Sequence, residues 1–243
     1  MSRLRLASWN VNSLKVRLPQ VLVFPQAAFA EAGFDVFFLG QKTYNGVALC
    51  SRQTTVKTSD VVLGLPGWPD PQKRFISALL SPLAAPEQPP IRFCGGYFPN
   101  GQAVGSSKYL YKLDWIAVLE RTLKTYLADT PRLVLGGDFN IAPADAEAWR
   151  GKILCSEPER KALERLFALG LYDSFRLFTQ PAERFSWWDY RQSGFERNHG
   201  LRIDLLLVSE ALKGAVESAS IDDGPRGNPQ PSDHAPVMLD LSL

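Results

Sequence analysis

The chain is poor in several things, and each scarcity excludes something. It has 243 residues but only three cysteines, Cys50, Cys94 and Cys155. An odd number with no close Cys-x-x-Cys pair argues against a disulfide framework or a zinc site and fits a reducing cytoplasm. Net charge is nearly absent, with 27 Lys+Arg against 25 Asp+Glu for a formal +2. A nucleic-acid binder of this composition needs a local basic face, because the body as a whole is not basic. No apolar run is long enough to span a bilayer. The first six residues, Met1-Ser2-Arg3-Leu4-Arg5-Leu6, lack the apolar centre of a signal peptide. A cytoplasmic protein without membrane contact is the expectation. Internal repeats, long charge runs and dividing linkers are all missing, so residues 1–243 are expected to form a single domain. Histidine is scarce too, with only His199 and His234.

What is present is a large apolar fraction, 45% of the chain, and six tryptophans. That is enough for a substantial core. Aromatic rings also stack on bases, although packing is the commoner use of each ring taken singly. Alternation and apolar runs predict strands at residues 4–10, 35–39, 46–51, 75–80, 91–97, 133–138, 201–209 and 237–241. Apolar positions at helical spacing (Leu113, Ile116, Ala117, Leu119, Leu123, Leu127) predict a helix over 109–127. A second helix is predicted over 157–169 with a stop at Gly170, and a helix end at Gly33. Residues 61–71, rich in Gly and Pro, read as loop, and the Pro-rich stretch 82–90 as a hairpin connection. Many short strands with few helices predict an α/β fold, two sheets packed face to face with helices outside.

Two segments carry most of the chemistry. One is Leu133-Val134-Leu135-Gly136-Gly137-Asp138-Phe139-Asn140, and the other is Ser232-Asp233-His234-Ala235-Pro236. Asp138 and Asn140 point the same way if the extended conformation persists through them. The paired glycines permit close backbone approach. A buried Asp at a strand end must meet a cation, a donor or a proton, or else it merely caps a turn. Asp204 interrupts the apolar run Leu201-Arg202-Ile203-Asp204-Leu205-Leu206-Leu207-Val208. A carboxylate there needs a dedicated partner, either a histidine whose tautomer it sets or Arg202 on the same face. Asn10 ends the first strand, where it either supports a metal-bound water or phosphate oxygen or makes an Asx turn. Tyr97 follows another strand and either donates to a phosphoryl oxygen or packs. Phe185-Ser186-Trp187-Trp188-Asp189-Tyr190-Arg191 is either a wedge against bases or a hairpin anchored in the core. Asp and Asn side chains converging with an Asp-His pair form a hard, oxygen-rich site with one nitrogen base. That set suits a divalent cation such as Mg²⁺ and hydrolysis of a phosphate ester.

Together these segments resemble the exonuclease III / class II AP endonuclease family of DNA repair enzymes. The resemblance runs in order through Ser8-Trp9-Asn10-Val11-Asn12-Ser13, Gly40-Gln41-Lys42-Thr43-Tyr44-Asn45-Gly46-Val47-Ala48, Gly96-Tyr97-Phe98-Pro99-Asn100-Gly101 and Gly136-Gly137-Asp138-Phe139-Asn140-Ile141. It continues through Tyr172-Asp173-Ser174-Phe175-Arg176, the aromatic segment 185–191, Gly200-Leu201-Arg202-Ile203-Asp204-Leu205 and the Ser-Asp-His-Ala-Pro segment. It implies a four-layered α/β sandwich of two packed mixed sheets flanked by helices. It implies a catalytic set of Tyr97, Asp138, Asn140, Asp204 and His234, and metal contacts from Asn10, Asp138, Asn140, Asp233 and His234. Implied DNA contacts are Asn12, Arg17, Lys42, Asn100, Lys108, Trp187 and Arg202. Lys15, Arg17, Lys42 and Lys108 lie in loops beside the motifs and would form the local basic face. The implied activity is Mg²⁺-dependent cleavage of duplex DNA at abasic sites and 3′ ends by a monomer, with Mn²⁺ as a possible substitute.

The resemblance breaks at one place. The family carries, after its first helix, a strand of the form Asp-Val-Leu-Cys-Leu-Gln-Glu whose Glu is a principal metal ligand. Here Leu18-Pro19-Gln20-Val21-Leu22-Val23-Phe24 runs straight into Pro25. An internal deletion near 22–26, of roughly twenty residues by the usual length of such elements, is the expectation. A shorter gap is expected near Ala144-Asp145-Ala146-Glu147-Ala148-Trp149. Val21 to Phe24 has the composition to fill the strand position but brings no carboxylate, and Glu31 sits on a predicted helix. Three functions compete: the nuclease, a DNA-binding homologue that cuts poorly for want of the Glu, and a phosphoesterase of the same superfamily on another substrate. Trp187, Trp188 and the Gly-Gln-Lys segment match the DNA repair branch and stand against the third.

Overall fold

The computed structural model describes residues 3–12, 25–41, 45–149 and 156–243. The apolar run ahead of Asp138 becomes the middle of a six-stranded sheet. Its order is β4 (Val56–Leu63), β5 (Phe75–Pro82), β6 (Ile91–Tyr97), β7 (Leu133–Asp138), β11 (Asp204–Ser209) and β8 (Leu171–Asp173). Only β6 and β7 are parallel, and their crossover carries helix α2 (Ser107–Asp129). Every residue of β7 and β11 is buried, because both faces of this sheet are covered. Leu133, Leu135, Leu205 and Leu207 meet Trp115 and Leu119 of α2 and Leu163 and Leu166 of α3 (Glu157–Phe167). Val134, Leu206 and Val208 face the other way, onto Leu4 and Leu6 of β1 (Arg3–Ser8) and Leu239 and Leu241 of β13 (Val237–Ser242). A strand covered on both faces has no solvent side, which is why these segments read as continuous apolar runs. β1 is covered on one face and alternates.

The second layer is antiparallel and stands in two pieces among the described residues. One is β1–β13–β12, with β12 at Val216–Ile221; the other is the hairpin of β2 (Phe34–Gly40) and β3 (Gly46–Arg52). Leu49 of β3 shares the core of Leu4 and Leu6, so both pieces pack on one face of the large sheet. A short helix, α1 (Gln26–Glu31), packs against β2 and ends in a turn at Gly33 (φ +82°). The expected α/β architecture of packed sheets flanked by helices is therefore the observed one. The segment Val21 to Phe24 lies outside the described residues, as do Lys15, Arg17 and Lys42.

Local expectations failed in two places. Residues 61–63 belong to β4 and not to a loop: after a bulge between Ser59 and Val62, with Asp60 at φ 45°, Val62 and Leu63 resume pairing with β5. The predicted strand over 201–209 is broken. β10 (Gly200–Leu201) pairs with β9 (Trp187–Trp188), and β11 starts afresh at Asp204. The Ser186 hydroxyl takes the Ile203 and Asp204 N–H groups at 3.0 and 2.9 Å, and Glu147 O takes that of Arg202, so the break leaves none of these donors unpaired.

Buried Asp240 joins the strands of the smaller sheet. It accepts from Arg3 at 2.7 Å, from Arg5 at 2.8 and 3.0 Å, and from Ser218 at 2.9 Å. Its hydrogen bond from Arg5, with Ser218 and both arginine charges, holds its carboxyl below the usual carboxylate range against the opposing effect of burial. A depressed pKa stabilises the fold above the unfolded value and loses that contribution as pH falls through the folded one. Asp240→Asn is therefore expected to lower Tm by about 2 °C at pH 7, since both arginines are more than half exposed and screened. The gap to wild type should begin to narrow below about pH 4 and close only as pH falls through the lowered folded pKa. Thermal melts at pH 7 and pH 3.5 check this, and a gap that widens in acid would refute it.

Candidate active site

Strand ends assemble the site. Tyr97 ends β6, Asp138 ends β7 and Asp204 begins β11. In the sheet register Tyr97 sits beside Asp138, and Asp138 beside Asp204. From the opposing layer, Asn10 follows β1 and His234 precedes β13. The glycines before Asp138 make this possible. Gly137 has φ +154°, and a Cβ there would lie 1.8 Å from Gly96 O; one on Gly136 would lie 2.6 Å from Leu206 Cδ2.

His234 Nδ1 lies 2.8 Å from Asp204 Oδ2, and its Nε2 lies 3.8 Å from Asp138 Oδ2. Asn10 Nδ2 donates to Asp138 Oδ2 at 3.0 Å and sits 3.3 Å from His234 Nε2. Its Oδ1 accepts from Asn12 N, which fixes the orientation of the carboxamide. Ser232 ties the two layers together: its hydroxyl donates to Asn10 O at 2.6 Å and accepts from His234 N at 3.1 Å. Arg202 is not the partner of Asp204; that partner is His234. Asn140 reaches Asp138 by a different route from the one expected. The extended conformation ends at Asp138, and Asn140 has φ 51°. Its N–H donates to Asp138 Oδ1 at 2.9 Å and its Nδ2 to Asp138 Oδ2 at 3.2 Å, so a turn and not strand alternation unites them. Asn100 donates to Asn140 Oδ1 at 3.1 Å.

Burial and charge set the protonation of this cluster. Burial disfavours the His234 cation, but Asp204, then Asp138 and Asp233, outweigh it and raise its pKa to about 9. Burial raises Asp138 to about 6, with the His234 charge opposing. Burial and then Asp138 push the Tyr97 phenol up, which keeps it a hydrogen-bond donor. Asp138, Asp204 and His234 offer ligand atoms within 4.8 Å of one another. Asp204 Oδ1 is buried without a hydrogen-bond partner. Two carboxylates, with one carboxylate oxygen unpaired, fit a divalent cation.

Asp233 turns aside from this group. It accepts from Asn12 Nδ2 at 2.7 Å and from Trp187 Nε1 at 3.0 Å, so these three residues form a second cluster next to His234 in the chain. Trp188 is 3% exposed and belongs to the core. Lys108 is exposed in the first turn of α2. Arg202, expected to contact DNA, does not stand where DNA could reach it. It is 1% exposed and places one nitrogen 2.8 Å from Glu147 and 2.5 Å from Asp173. Two carboxylates distant in sequence neutralise it, and nothing in its own segment signals them. Arg17 and Lys42 fall outside the described residues. Sequence reasoning missed the positioning hydroxyls Ser186 and Ser232, although both stand inside motifs it singled out for their neighbours.

Fold and site define a phosphoesterase built on two packed sheets, and the comparisons agree. The chain belongs to the Endonuclease/Exonuclease/phosphatase family, which matches residues 7–234. It is similar to exodeoxyribonuclease III of Haemophilus influenzae, 32% identical over 273 residues, covering 98% of this chain and 100% of the relative. That aligned length exceeds the 243 residues here, so the relative carries segments without a counterpart in this chain. Among solved structures it is similar to the 3′ phosphatase NExo from Neisseria bound to product DNA hairpin, with TM-score 0.89 and 39% identity over 98% of this chain and 99% of that one. An AP endonuclease from Archaeoglobus fulgidus gives TM-score 0.86 and 28% identity over 99% and 100% of the two chains. The chain is thus a nuclease-family phosphodiesterase of exonuclease III / AP endonuclease type.

Proposed function

We propose that this protein is a Mg²⁺-dependent nuclease of duplex DNA that hydrolyses phosphodiesters at abasic sites and at 3′ ends. The observation that carries the proposal is the Asp204–His234 pair set against Asp138 and Asn10 at the strand ends. Asp138, with the Asn140 amide on its carboxylate, is placed to orient an attacking water. His234, held by Asp204, faces the same space through Nε2 and offsets phosphate charge. Tyr97 is placed to donate to a phosphoryl oxygen. Trp187, fixed through Asp233, would pack against the deoxyribose of the damaged nucleotide, with Asn12, Asn100 and Lys108 on the backbone. Of the metal contacts that the sequence implies (Asn10, Asp138, Asn140, Asp233 and His234), Asp138 is the carboxylate in this cluster, with the unpaired Asp204 Oδ1 beside it as a further oxygen, while His234, raised to a pKa of about 9, acts as the neighbouring cation. The divalent cation would supply charge stabilisation for the phosphate and leaving oxygen.

The proposal includes the internal deletion near 22–26, which the longer aligned length of the relative supports. Without the family Glu the cation has fewer charged ligands, and its affinity should fall. The test is cleavage of a duplex with one abasic site, and of a duplex with a recessed 3′ end, across a titration of Mg²⁺ and then Mn²⁺. Binding is measured beside it at two salt concentrations. Cleavage is expected only at millimolar Mg²⁺ or with Mn²⁺, and binding should weaken steeply with salt. Salt-sensitive binding with no cleavage under either metal would refute the nuclease reading in favour of a DNA-binding homologue. Salt-insensitive binding would point to a small phosphoester. Full activity at sub-millimolar Mg²⁺, equal to a variant with a Leu-Gln-Glu strand restored after Phe24, would refute the weakened-metal argument.

A further inference from the structure

We propose that Lys112, on α2 and outside the catalytic cluster, is a positioning residue that sets the Asn140 and Asn100 carboxamides and, through Asn140, the Asp138 carboxylate. The proposal rests on the nuclease reading of the site. Lys112 is 0% exposed. Its Nζ donates to the backbone carbonyl of Asn140 at 2.9 Å and to Glu159 Oε1 at 2.5 Å. An ion pair taken wholly out of water costs several kcal/mol in desolvation, and packed apolar side chains often serve stability as well. Trp115, Leu119, Leu163 and Leu166 already pack α2 and α3 in that way. Stability alone therefore gives little reason for a lysine here.

Its two contacts with the site give one. Asn140 sits at φ 51°, in the left-handed region that Asn tolerates better than most residues, and each polar group it presents there is engaged. Its N–H is fixed by Asp138, its Nδ2 by Phe98 O and Asp138, and its Oδ1 by Asn100. The carbonyl is the remaining handle, and Lys112 takes it. The stem of the same lysine packs under the neighbouring turn: a Cβ on Gly101 (φ +80°) would lie 3.1 Å from Lys112 Cδ. One side chain thus supports both turns whose carboxamides meet above it. The ammonium is itself anchored, because Glu159 Oε2 accepts from Ser156 N at 2.7 Å and Ser156 Oγ at 2.8 Å in the capping box of α3. The helical layer reaches the active site through this chain of contacts.

The test must separate positioning from folding. Lys112→Met alone strands Glu159 and should lower Tm, so the informative variant is Lys112→Met with Glu159→Gln, which removes both charges and keeps a cap acceptor for Ser156. This double variant should recover Tm relative to Lys112→Met. Its kcat on the 3′-recessed duplex should stay about 100-fold below wild type with KM within about twofold, as a displaced reacting group requires. Leu163→Ala, which loosens the same helix pair without touching Asn140, should keep wild-type kcat at temperatures where it is folded. The side-chain amide ¹⁵N–¹H signal of Asn140 should shift in the double variant and not in Leu163→Ala. That signal is read on the free protein whether or not it cuts DNA. A wild type that cleaves neither duplex defeats the nuclease reading, and the amide signal then decides the positioning role. Wild-type kcat in the double variant of an active enzyme, or an Asn140 signal that does not move, would overturn the proposal.

Discussion

Asp204→Asn and His234→Ala are each expected to lower kcat by about a thousandfold or more, and the double variant by little beyond the worse of the two. Asp204 Oδ2 holds His234 Nδ1 at 2.8 Å and so turns Nε2 toward Asp138 and the substrate space. An Asn in its place offers one weaker acceptor and a competing donor, which leaves the ring free to take the wrong tautomer or orientation. Once either partner is gone, little of the pair's contribution is left for the other to lose, and the losses cannot add. Stability should fall as well. Asp204 is 1% exposed and is the main charge that keeps the buried His234 cation against desolvation, so a neutral isostere leaves that cation without its counterion and should lower Tm at neutral pH. Single-turnover cleavage of the four proteins, with a thermal melt of each, completes the cycle. Losses that multiply would show that Asp204 and His234 act independently.

Gly137→Ala is expected to cost more than about 4 kcal/mol of stability, enough to prevent folding or leave the protein insoluble. The new methyl carbon would sit 1.8 Å from Gly96 O, inside the bonded backbone of the adjacent strand, at a φ of +154° that alanine rarely adopts. No rotamer relieves a Cβ clash, so β6 and β7 would have to part at the level of Tyr97 and Asp138. Gly214→Ala is the matched control. Its backbone is already right-handed at φ −72°, and nothing lies within 4 Å of an added Cβ. It should be neutral or mildly stabilising through the unfolded chain. Denaturant unfolding of both variants decides the matter, and a Gly137→Ala protein melting within about 2 °C of wild type would show that the strands yield more easily than their spacing implies.

The elements were legible where a local pattern carried them. The spacing of Ile116, Leu119 and Leu123 marks one apolar face of α2, and the unbroken run before Asp138 marks a strand covered on both sides. The need of Asp204 for a partner was legible too, because a carboxylate inside an apolar run is costly wherever it folds, and with two histidines in the chain the choice was short. The order of the motifs was enough to indicate the family. Tertiary structure decided the rest. Arg202 looked like a cation free for DNA, and became a buried counterion because Glu147 and Asp173, 55 and 29 residues away, converge on it. Asp138 and Asn140 looked like neighbours on one strand face, and meet through a left-handed turn that Lys112, Phe98 and Asn100 help to hold. The apolar run 201–209 looked like one strand, and broke where the Ser186 hydroxyl could take two of its N–H groups. Propensity and periodicity report the energy of a residue with its near neighbours along the chain. The partners of a buried charge or an orphaned donor are chosen by the packing of segments far apart in sequence, so the residue types of this site could be read from the chain, while their pairing was set only when the two layers closed on each other.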